Sequence, residues 1–310
     1  MKKVIAAILA GAMITASFSA CSGGSGSSSS PASNGSQAAA SAAASSAASL
    51  SGSINISGSS ALQPLVQKAA DQFKKTNADL SITVNAGGSG TGLQNVSDKT
   101  VDIGDSDIFA SEKLSADKAG ALTDHIVCVV GVAAVVNPQV NVTNVTKQQL
   151  VDIFTGKITN WKAVGGQDQK IVIINRPKSS GTRTLFKQFG LDGKDEVTGT
   201  ALTEDNSGLL KQNVEQTAGS IAYLAFSYLT DNKVKSLSID SVTPTYDNVY
   251  SGKYNIWGYE HMYTNGEAKD PAKSFLDFIK SPDFEKTITD TGYGLYSKMT
   301  VKRDAPAAKS

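Results

Sequence analysis

One polar stretch of the sequence combines a fixed positive charge with two hydroxyl groups. Arg176 precedes Ser180 and Thr182, and Gly181 stands between the two hydroxyl residues. A guanidinium is always charged and hydroxyls can donate hydrogen bonds, so this set is suited to holding an anion. An ordinary capped helix start after a polar loop uses the same residue types, and this stretch alone leaves both interpretations open.

The flanking sequence places this stretch between a strand and a helix. Residues 171–174 form an apolar run typical of a buried strand, and residues 184–189 have helical spacing that ends at Gly190. The first turn of a helix has N–H groups without intrahelical acceptors, and it lies at the positive end of the helix dipole. The stretch therefore predicts an anion site at a strand-to-helix turn.

Two earlier turns have a similar composition. Residues 58–61 (GSSA) follow a predicted strand at residues 53–57, and residues 87–92 (GGSGTG) follow another at residues 80–86. In an open parallel sheet, such turns lie at the carboxyl ends of the strands, where ligands bind. Each turn alone is explained by the geometry of tight turns. Together with Arg176, the three turns predict helix starts that converge on one small anion.

Three acidic residues, Asp102, Asp105 and Asp107, lie in and after a third short strand predicted at residues 101–104. They are either solvated loop carboxylates or part of the anion site. Phosphate near neutral pH still carries a proton, and an ionised Asp can only accept hydrogen bonds. One Asp could therefore accept that proton and repel sulfate, which has none to offer.

Other kinds of chemistry are not supported by the motifs. The glycine run at residues 87–92 lacks the lysine of a P-loop, and Thr91 breaks the G-x-S-x-G spacing of a nucleophile elbow. His125 and His261 lie beside no candidate nucleophile or metal-ligand cluster, which favours structural roles. We therefore expect no catalysis, no cofactor and no metal.

The N-terminus has the features of a processed lipoprotein. Residues 1–20 form a signal peptide with a basic start and a short apolar core, and small residues precede Cys21, as in a bacterial lipobox, although Phe18 stands where an aliphatic residue is usual. Residues 21–52 are then a lipidated cysteine and a tether rich in Ser, Gly and Ala. These features predict a lipid anchor on the extracytoplasmic face of the cell membrane. A secretory signal with an incidental cysteine is the alternative.

The charge balance of the remaining chain excludes one class of partner. Residues 1–20 carry two of the 29 Lys and Arg residues, so 27 remain against 28 Asp and Glu. Such a near-neutral chain lacks the basic surface of nucleic-acid-binding proteins. The other cysteine, Cys128, lies in an apolar run and is expected to be a small buried hydrophobic residue.

Strands and helices alternate along the chain, which predicts an α/β fold with a parallel sheet. Helices are predicted at residues 62–77, 112–119, 146–154, 207–214, 272–279 and 283–291, and further strands at 220–229 and 234–239. The apolar run at residues 126–136 is long enough to pass from one domain into another, and residues 246–259 are a candidate for the return crossing.

The order and spacing of these motifs resemble the phosphate-binding proteins of bacterial phosphate ABC transporters. The shared features are the turn at residues 58–61, the glycine-flanked Ser89, the pair Ser106-Asp107, and Arg176 followed by Ser180-Gly181-Thr182. Residues 151–161 (VDIFTGKITNW) and 219–223 (GSIAY) also look like segments of that family. The resemblance extends over roughly residues 53–299.

The resemblance implies a two-lobe periplasmic-binding-protein-like fold of type II, with the ligand in the interlobe cleft and crossing hinge strands. Lobe 1 would comprise residues 53–132 and 252–303, lobe 2 residues 133–251, and residues 304–310 a flexible tail. The implied phosphate-binding residues are Ser60, Ala61, Ser89, Asp107, Arg176, Ser180, Gly181 and Thr182. Some relatives have an acidic residue two positions after the arginine; here it is Lys178.

The implied function is high-affinity binding of inorganic phosphate outside the cytoplasm and its delivery to an ABC permease with a cytoplasmic ATPase. We expect a monomer that binds no nucleic acid. The alternatives are a receptor for another tetrahedral oxyanion such as sulfate or molybdate, a secreted phosphoester hydrolase, and a surface adhesin or signalling lipoprotein that retains the fold without transport.

Overall fold

A computed structural model describes residues 50–198 and 202–308 of the chain. The predicted signal peptide, the lipidation site Cys21 and nearly all of the tether lie outside the described residues. None of the helices in these two ranges has the length and apolar character needed to cross a membrane.

Nine strands in the described ranges form one sheet in the order β2-β1-β3-β11-β4-β8-β6-β7, with β9 also paired to β4. A second, two-stranded sheet contains β5 and β10. The strands are β1 (Gly52–Gly58), β2 (Leu80–Ala86), β3 (Ile103–Ser106), β4 (Leu122–Val136), β5 (Asn144–Val145), β6 (Val172–Asn175), β7 (Leu202–Thr203), β8 (Ser220–Ala225), β9 (Lys235–Ser236), β10 (Ser238–Ile239) and β11 (Trp257–Asn265).

Helices pack on both sides of the larger sheet. They are α1 (Gln63–Phe73), α2 (Ser89–Ser97), α3 (Ala116–Gly120), α4 (Lys147–Phe154), α5 (Gly181–Leu185), α6 (Ser207–Gln216), α7 (Tyr246–Tyr250), α8 (Ala272–Ile279) and α9 (Glu285–Asp290). A π-helical turn at Phe186–Gly190 continues α5. The predicted helix at residues 272–279 is confirmed at both ends, because its apolar residues recur on one face and pack into the core.

Two hydrophobic cores flank the long strand β4. One contains Leu65 of α1 and Phe275 of α8. The other contains Phe154 of α4, Phe186 after α5, and Tyr223 of β8. β4 links them, because residues 122–131 pair with β11 whereas residues 132–136 pair with β8. We propose lobe boundaries at residues 53–132 with 252–303, and at residues 133–251.

The return crossing differs from the prediction. Residues 246–250 form α7, and the strand of this region is β11, which begins at Trp257 and pairs with β3 and with residues 122–131 of β4. The physical reason is local: the side chain of Thr245 accepts a hydrogen bond from the N–H of Asn248 and caps a helix start. Tyr246 and Tyr250 then stack on the same helix face, with ring centroids 5.8 Å apart.

The predicted helix at residues 112–119 is confirmed only from residue 116 onwards. A 3₁₀ turn at Ala110–Glu112 is followed by α3, and Ser115 between them is extended. Leu114 is buried here, and turning it inward interrupts the helix. The predicted strands at residues 220–229 and 234–239 are likewise shorter or divided: β8 ends at Ala225, and the second segment forms β9 and β10.

Candidate anion-binding site

The first turn of the site follows β1 and begins with a glycine that no other residue could replace. Gly58 has a φ of 144°, and a Cβ there would lie 2.8 Å from the backbone nitrogen of Asp105. The Oγ of Ser59 accepts hydrogen bonds from the N–H groups of Ala61 and Leu62 at 3.0 and 3.1 Å. The predicted ligand donor Ala61 N–H is therefore bonded to Ser59 in this arrangement.

The guanidinium of Arg176 lies buried between the two lobes, with only 1% of the residue exposed. Its Nη1 donates to the Oγ of Ser207, and its Nη2 donates to the Oγ of Ser60 and to the carbonyl oxygen of Asp205, each at 3.0 Å. The buried Nε has no hydrogen-bond partner among the described residues. A permanent positive charge is thus bonded to hydroxyls rather than to a carboxylate.

The backbone of Arg176 is positioned by side chains of the second lobe. Its N–H donates to the hydroxyl of Tyr223 at 3.2 Å, and its carbonyl oxygen accepts from Nη1 of Arg183 at 2.5 Å. Lys178, which stands where some relatives have an acid, has an exposed side chain. Arg176 is therefore oriented by Tyr223, Arg183 and the hydroxyls around its guanidinium.

Asp107 lies opposite Arg176 at the end of β3 and is 1% exposed. Its carboxylate accepts a hydrogen bond from Oγ1 of Thr182 at 2.7 Å and another from the hydroxyl of Ser59. Its backbone N–H donates to the Oγ of Ser89 at 3.0 Å. Thr182 belongs to the second lobe, so this carboxylate joins both sides of the cleft.

The start of α5 lies directly against the first lobe. A Cβ on Gly181 would stand 2.8 Å from the Cβ of Ser89 and 3.0 Å from the Cβ of Asp107. Ser180 caps the helix, because its Oγ accepts from the N–H of Arg183 at 3.1 Å. The N–H of Ser180 donates to the carbonyl oxygen of Pro177 at 3.0 Å. The donors left for an anion are therefore the O–H of Ser180 and the N–H groups of Gly181 and Thr182 in the first helical turn.

Further contacts join the two sides of the cleft outside the site. The N–H of Gly90 donates to the carbonyl oxygen of Ser179 at 2.9 Å. The hydroxyl of Tyr228 donates to the carbonyl oxygen of Ser60 at 2.7 Å.

The structure brings the predicted site residues together: Ser60 bonds Arg176, and Ser89, Gly181 and Thr182 surround Asp107. The prediction missed four residues that contact this group, namely Ser59, Asp205, Ser207 and Tyr228. Ser207 could have been predicted from the sequence, because it begins a predicted helix after the polar run at residues 203–206. Asp205 contacts Arg176 through its backbone carbonyl, and a backbone contact cannot be predicted from the type of residue.

The buried acid Glu196 lies next to Arg183, which in turn donates a hydrogen bond to the carbonyl oxygen of Arg176. Glu196 is buried, and one of its carboxylate oxygens lies 3.5 Å from Nε of Arg183. Burial raises the pKa of Glu196 to about 7, although the nearby Arg183 acts in the opposite direction. Burial also raises the pKa of the Tyr223 phenol, and it lowers the pKa of the Arg176 guanidinium from its ordinary value.

We expect Glu196 to make folding stability depend on pH. Its pKa is higher in the folded chain, about 7, than the ordinary 4.5, so the folded state binds more protons between these values. The stabilising contribution is complete below about pH 4.5 and is lost as the pH rises to about 7, for a total of about 3 kcal/mol. Denaturant unfolding of wild type and Glu196→Gln at pH 4.5 and 7 measures this difference.

The exposed Glu267 provides the control for this experiment. Glu267→Gln should leave the pH dependence unchanged. An unfolding free energy that depends on pH equally in wild type and Glu196→Gln would contradict the assignment.

The two histidines lie in hydrogen-bonded strand positions. Nδ1 of His261 is 2.9 Å from a carboxylate oxygen of Asp124, and Nε2 of His125 is 3.1 Å from Oγ1 of Thr264. Across residues 50–198 and 202–308, no group of three or more His, Cys, Asp or Glu side chains is placed to hold a metal ion.

Comparison with known proteins defines the class to which this fold and site belong. The family model described as "PBP superfamily domain" matches residues 39–283, which is most of the chain, so the chain belongs to that superfamily. The phosphate-binding protein PstS of Bacillus subtilis (strain 168) is 55% identical over 261 residues, covering 84% of this chain and 86% of the relative. Within the superfamily, the chain is a member of the phosphate-binding protein family of the phosphate ABC transporter.

Solved structures support the same assignment of fold. A putative phosphate ABC transporter substrate-binding protein with bound phosphate from Clostridium perfringens is 31% identical, with a TM-score of 0.73, covering 79% of this chain and 99% of that one. An ABC-type phosphate transport receptor from Vibrio cholerae is 30% identical, with a TM-score of 0.62, covering 78% and 99%. The predicted two-lobe type II periplasmic-binding-protein fold is confirmed.

Proposed function

We propose that this chain binds inorganic phosphate with high affinity outside the cytoplasm and delivers it to the permease of a phosphate ABC transporter. The observation that carries the proposal is the buried pair of Arg176 and Asp107, a fixed cation and an acceptor, surrounded by hydroxyls from both lobes. The names of its relatives and structural neighbours support the same ligand.

Each part of the site has a distinct task in binding. Arg176 supplies the counter-charge, and its hydrogen bonds to an anion are strengthened by burial away from water. The hydroxyls of Ser60 and Ser89 accept hydrogen bonds in this arrangement and can donate to phosphate oxygens, since a hydroxyl is both donor and acceptor. The hydroxyl of Thr182 donates to Asp107. Closure of the lobes around the anion, as in hinge-type binding proteins, then excludes water.

Asp107 gives the site its preference for a protonated anion. Its carboxylate accepts hydrogen bonds from two hydroxyls, and it has lone pairs for the proton that phosphate carries. Sulfate would instead bring an unpaired negative charge against a buried carboxylate. The site therefore fits phosphate or arsenate better than sulfate or molybdate.

We expect phosphate and arsenate to raise the melting temperature of the protein much more than sulfate or molybdate, because a ligand that binds only the folded state stabilises it. In Asp107→Asn the amide can donate to sulfate, so phosphate affinity should fall about tenfold while sulfate binding improves. Thermal shift followed by calorimetry measures both changes.

The exposed Asp102 serves as the control, since its carboxylate accepts a hydrogen bond from the N–H of Asn55 at 2.7 Å and makes no contact with the site residues in the part of the chain that the structure describes. Asp102→Asn should bind all four anions as wild type does. Equal binding of sulfate and phosphate by wild type would favour a general oxyanion receptor, and failure to bind any oxyanion would favour an adhesin or signalling lipoprotein.

The remaining parts of the proposal concern chemistry, partners and location. The relatives are binding proteins of a transporter, and we propose that this chain likewise catalyses no reaction. Turnover of a chromogenic phosphoester, abolished in Ser180→Ala, would revive the hydrolase interpretation. We further propose that the protein is a monomer and that it is anchored through lipidated Cys21. Metabolic labelling with a palmitate analogue would test the lipid anchor.

A further inference from the structure

A buried glutamate next to the site takes no part in the contacts described so far. Glu260 lies in β11 with no exposed surface, and neither of its carboxyl oxygens has a well-formed hydrogen bond within the described residues. A buried carboxyl without a hydrogen-bond partner is strongly destabilising if it is charged, so its position requires an explanation.

The strand register places Glu260 beside Asp107. β11 runs antiparallel to β3, with His261 opposite Ser106 and Met262 opposite Asp105. The next residue of each strand is Glu260 on β11 and Asp107 just past β3, which places the two side by side at the point where the pairing of β11 with β4 has a β-bulge. The two carboxyl groups interact directly. Glu260 thus lies next to the carboxylate of Asp107, on the β11 side.

Within residues 50–198 and 202–308, the groups that act on Glu260 are acidic or neutral, and none of them supplies a positive charge. On β3 it faces Asp105 and Asp107, and on β4 it is paired with Cys128. Burial and the two aspartates raise its pKa well above the ordinary value. Burial also raises the pKa of the phenols that interact with Glu260 from the remaining elements, namely Tyr228, Tyr246 and Tyr293.

We propose that Glu260 is a positioning residue that remains protonated and donates a hydrogen bond to Asp107, which keeps Asp107 an acceptor for the proton of phosphate. The proton stays on Glu260 throughout, and no bond is made or broken. A carboxylate has about four acceptor sites, so Asp107 can accept from Ser59, Thr182, Glu260 and the ligand together.

This inference rests on the proposed phosphate binding and explains how its selectivity is maintained. Without the hydrogen bond from Glu260, the carboxylate of Asp107 is held by no donor on that side and can turn away from the orientation in which it accepts the proton of phosphate. The site then loses part of its preference for a protonated anion over sulfate. Glu260 therefore acts on specificity through Asp107, without touching the anion.

The test compares Glu260→Gln, which keeps a donor of the same shape, with Glu260→Leu, which removes the donor. Calorimetry with phosphate and with sulfate from pH 6 to 9 gives both affinities. We expect Glu260→Gln to stay within about threefold of wild type in the ratio of the two affinities across this range. Glu260→Leu should lose about tenfold in phosphate affinity and so lower the ratio of phosphate affinity to sulfate affinity.

A second measurement detects the protonation state of Glu260 itself. It does not require that the Glu260→Leu variant folds. Infrared spectra at neutral pH should contain the C=O stretch of a buried carboxylic acid that is lost in Glu260→Gln. Cys128→Ala, opposite Glu260 on β4, disturbs packing at the same place and should change neither the band nor the ratio.

Two results would overturn the proposal: no band assignable to Glu260, or an unchanged ratio of affinities in a folded Glu260→Leu. Neither outcome depends on the absolute affinity of the protein. Failure of the proposed function would give a different result, because the wild-type protein would then bind no phosphate.

Discussion

Replacing Arg176 with alanine is expected to weaken phosphate binding by at least about 2 kcal/mol, or roughly 30-fold in the dissociation constant. The guanidinium is the buried cation of the site, and its three hydrogen bonds hold the hydroxyls of Ser60 and Ser207 and the carbonyl of Asp205. Without it, both an incoming anion and Asp107 would be buried without a counter-charge. Isothermal titration calorimetry with phosphate measures the loss.

Two further substitutions separate charge from geometry at this position. Arg176→Lys keeps the charge but loses the fork of donors, so we expect it to recover only part of the affinity. Lys178→Ala, two residues later on an exposed side chain, should change the dissociation constant less than about twofold. Wild-type affinity in Arg176→Ala would refute the assigned role of the guanidinium.

Adding a single methyl group at Gly181 should also weaken phosphate binding strongly, by an expected tenfold or more. The new Cβ would lie 2.8 Å from the Cβ of Ser89 and 3.0 Å from that of Asp107, closer than carbon atoms approach without displacement. Because Gly181 belongs to the second lobe and the other two residues to the first, the clash arises only when the lobes are closed.

Gly120→Ala is the matched control, since Gly120 has no atom within 4 Å of the place where a Cβ would stand. We expect Gly181→Ala to unfold at nearly the wild-type temperature without phosphate, and to gain little stability on adding phosphate. Gly120→Ala should respond to phosphate as wild type does. A full phosphate response in Gly181→Ala would show that the lobes do not approach as closely in the bound state.

The sequence predicted the parts of the site that depend on residue type and local order. A turn rich in Gly and Ser between a strand and a helix is a short-range pattern, and Arg176 stands out beside such a turn. The contacts of Ser207 and Tyr228 depend on how distant segments meet, and their residue types are common on any surface. The role of Glu260 could not be predicted for the same reason, because only the pairing of β11 with β3 reveals which carboxylate it lies next to.

The errors in the predicted helices and strands have a related cause. Residues 246–259 are rich in aromatic residues, which favour strands, yet the cap at Thr245 starts a helix, and the strand begins only at Trp257. Residues 112–119 have helical composition, but burial of Leu114 interrupts the helix. In both places a single contact outweighs the average propensity of a segment.

The hydrogen bonds that join the lobes outside the anion site affect the equilibrium between open and closed forms. The bonds from Gly90 to Ser179 and from Tyr228 to Ser60 contain no ligand atom. They therefore contribute to the free energy of closing whether or not an anion is present. The measured dissociation constant equals the intrinsic constant divided by the closed fraction of the free protein. Hydrogen bonds that do not involve the ligand thus help to set the concentration at which the receptor becomes saturated.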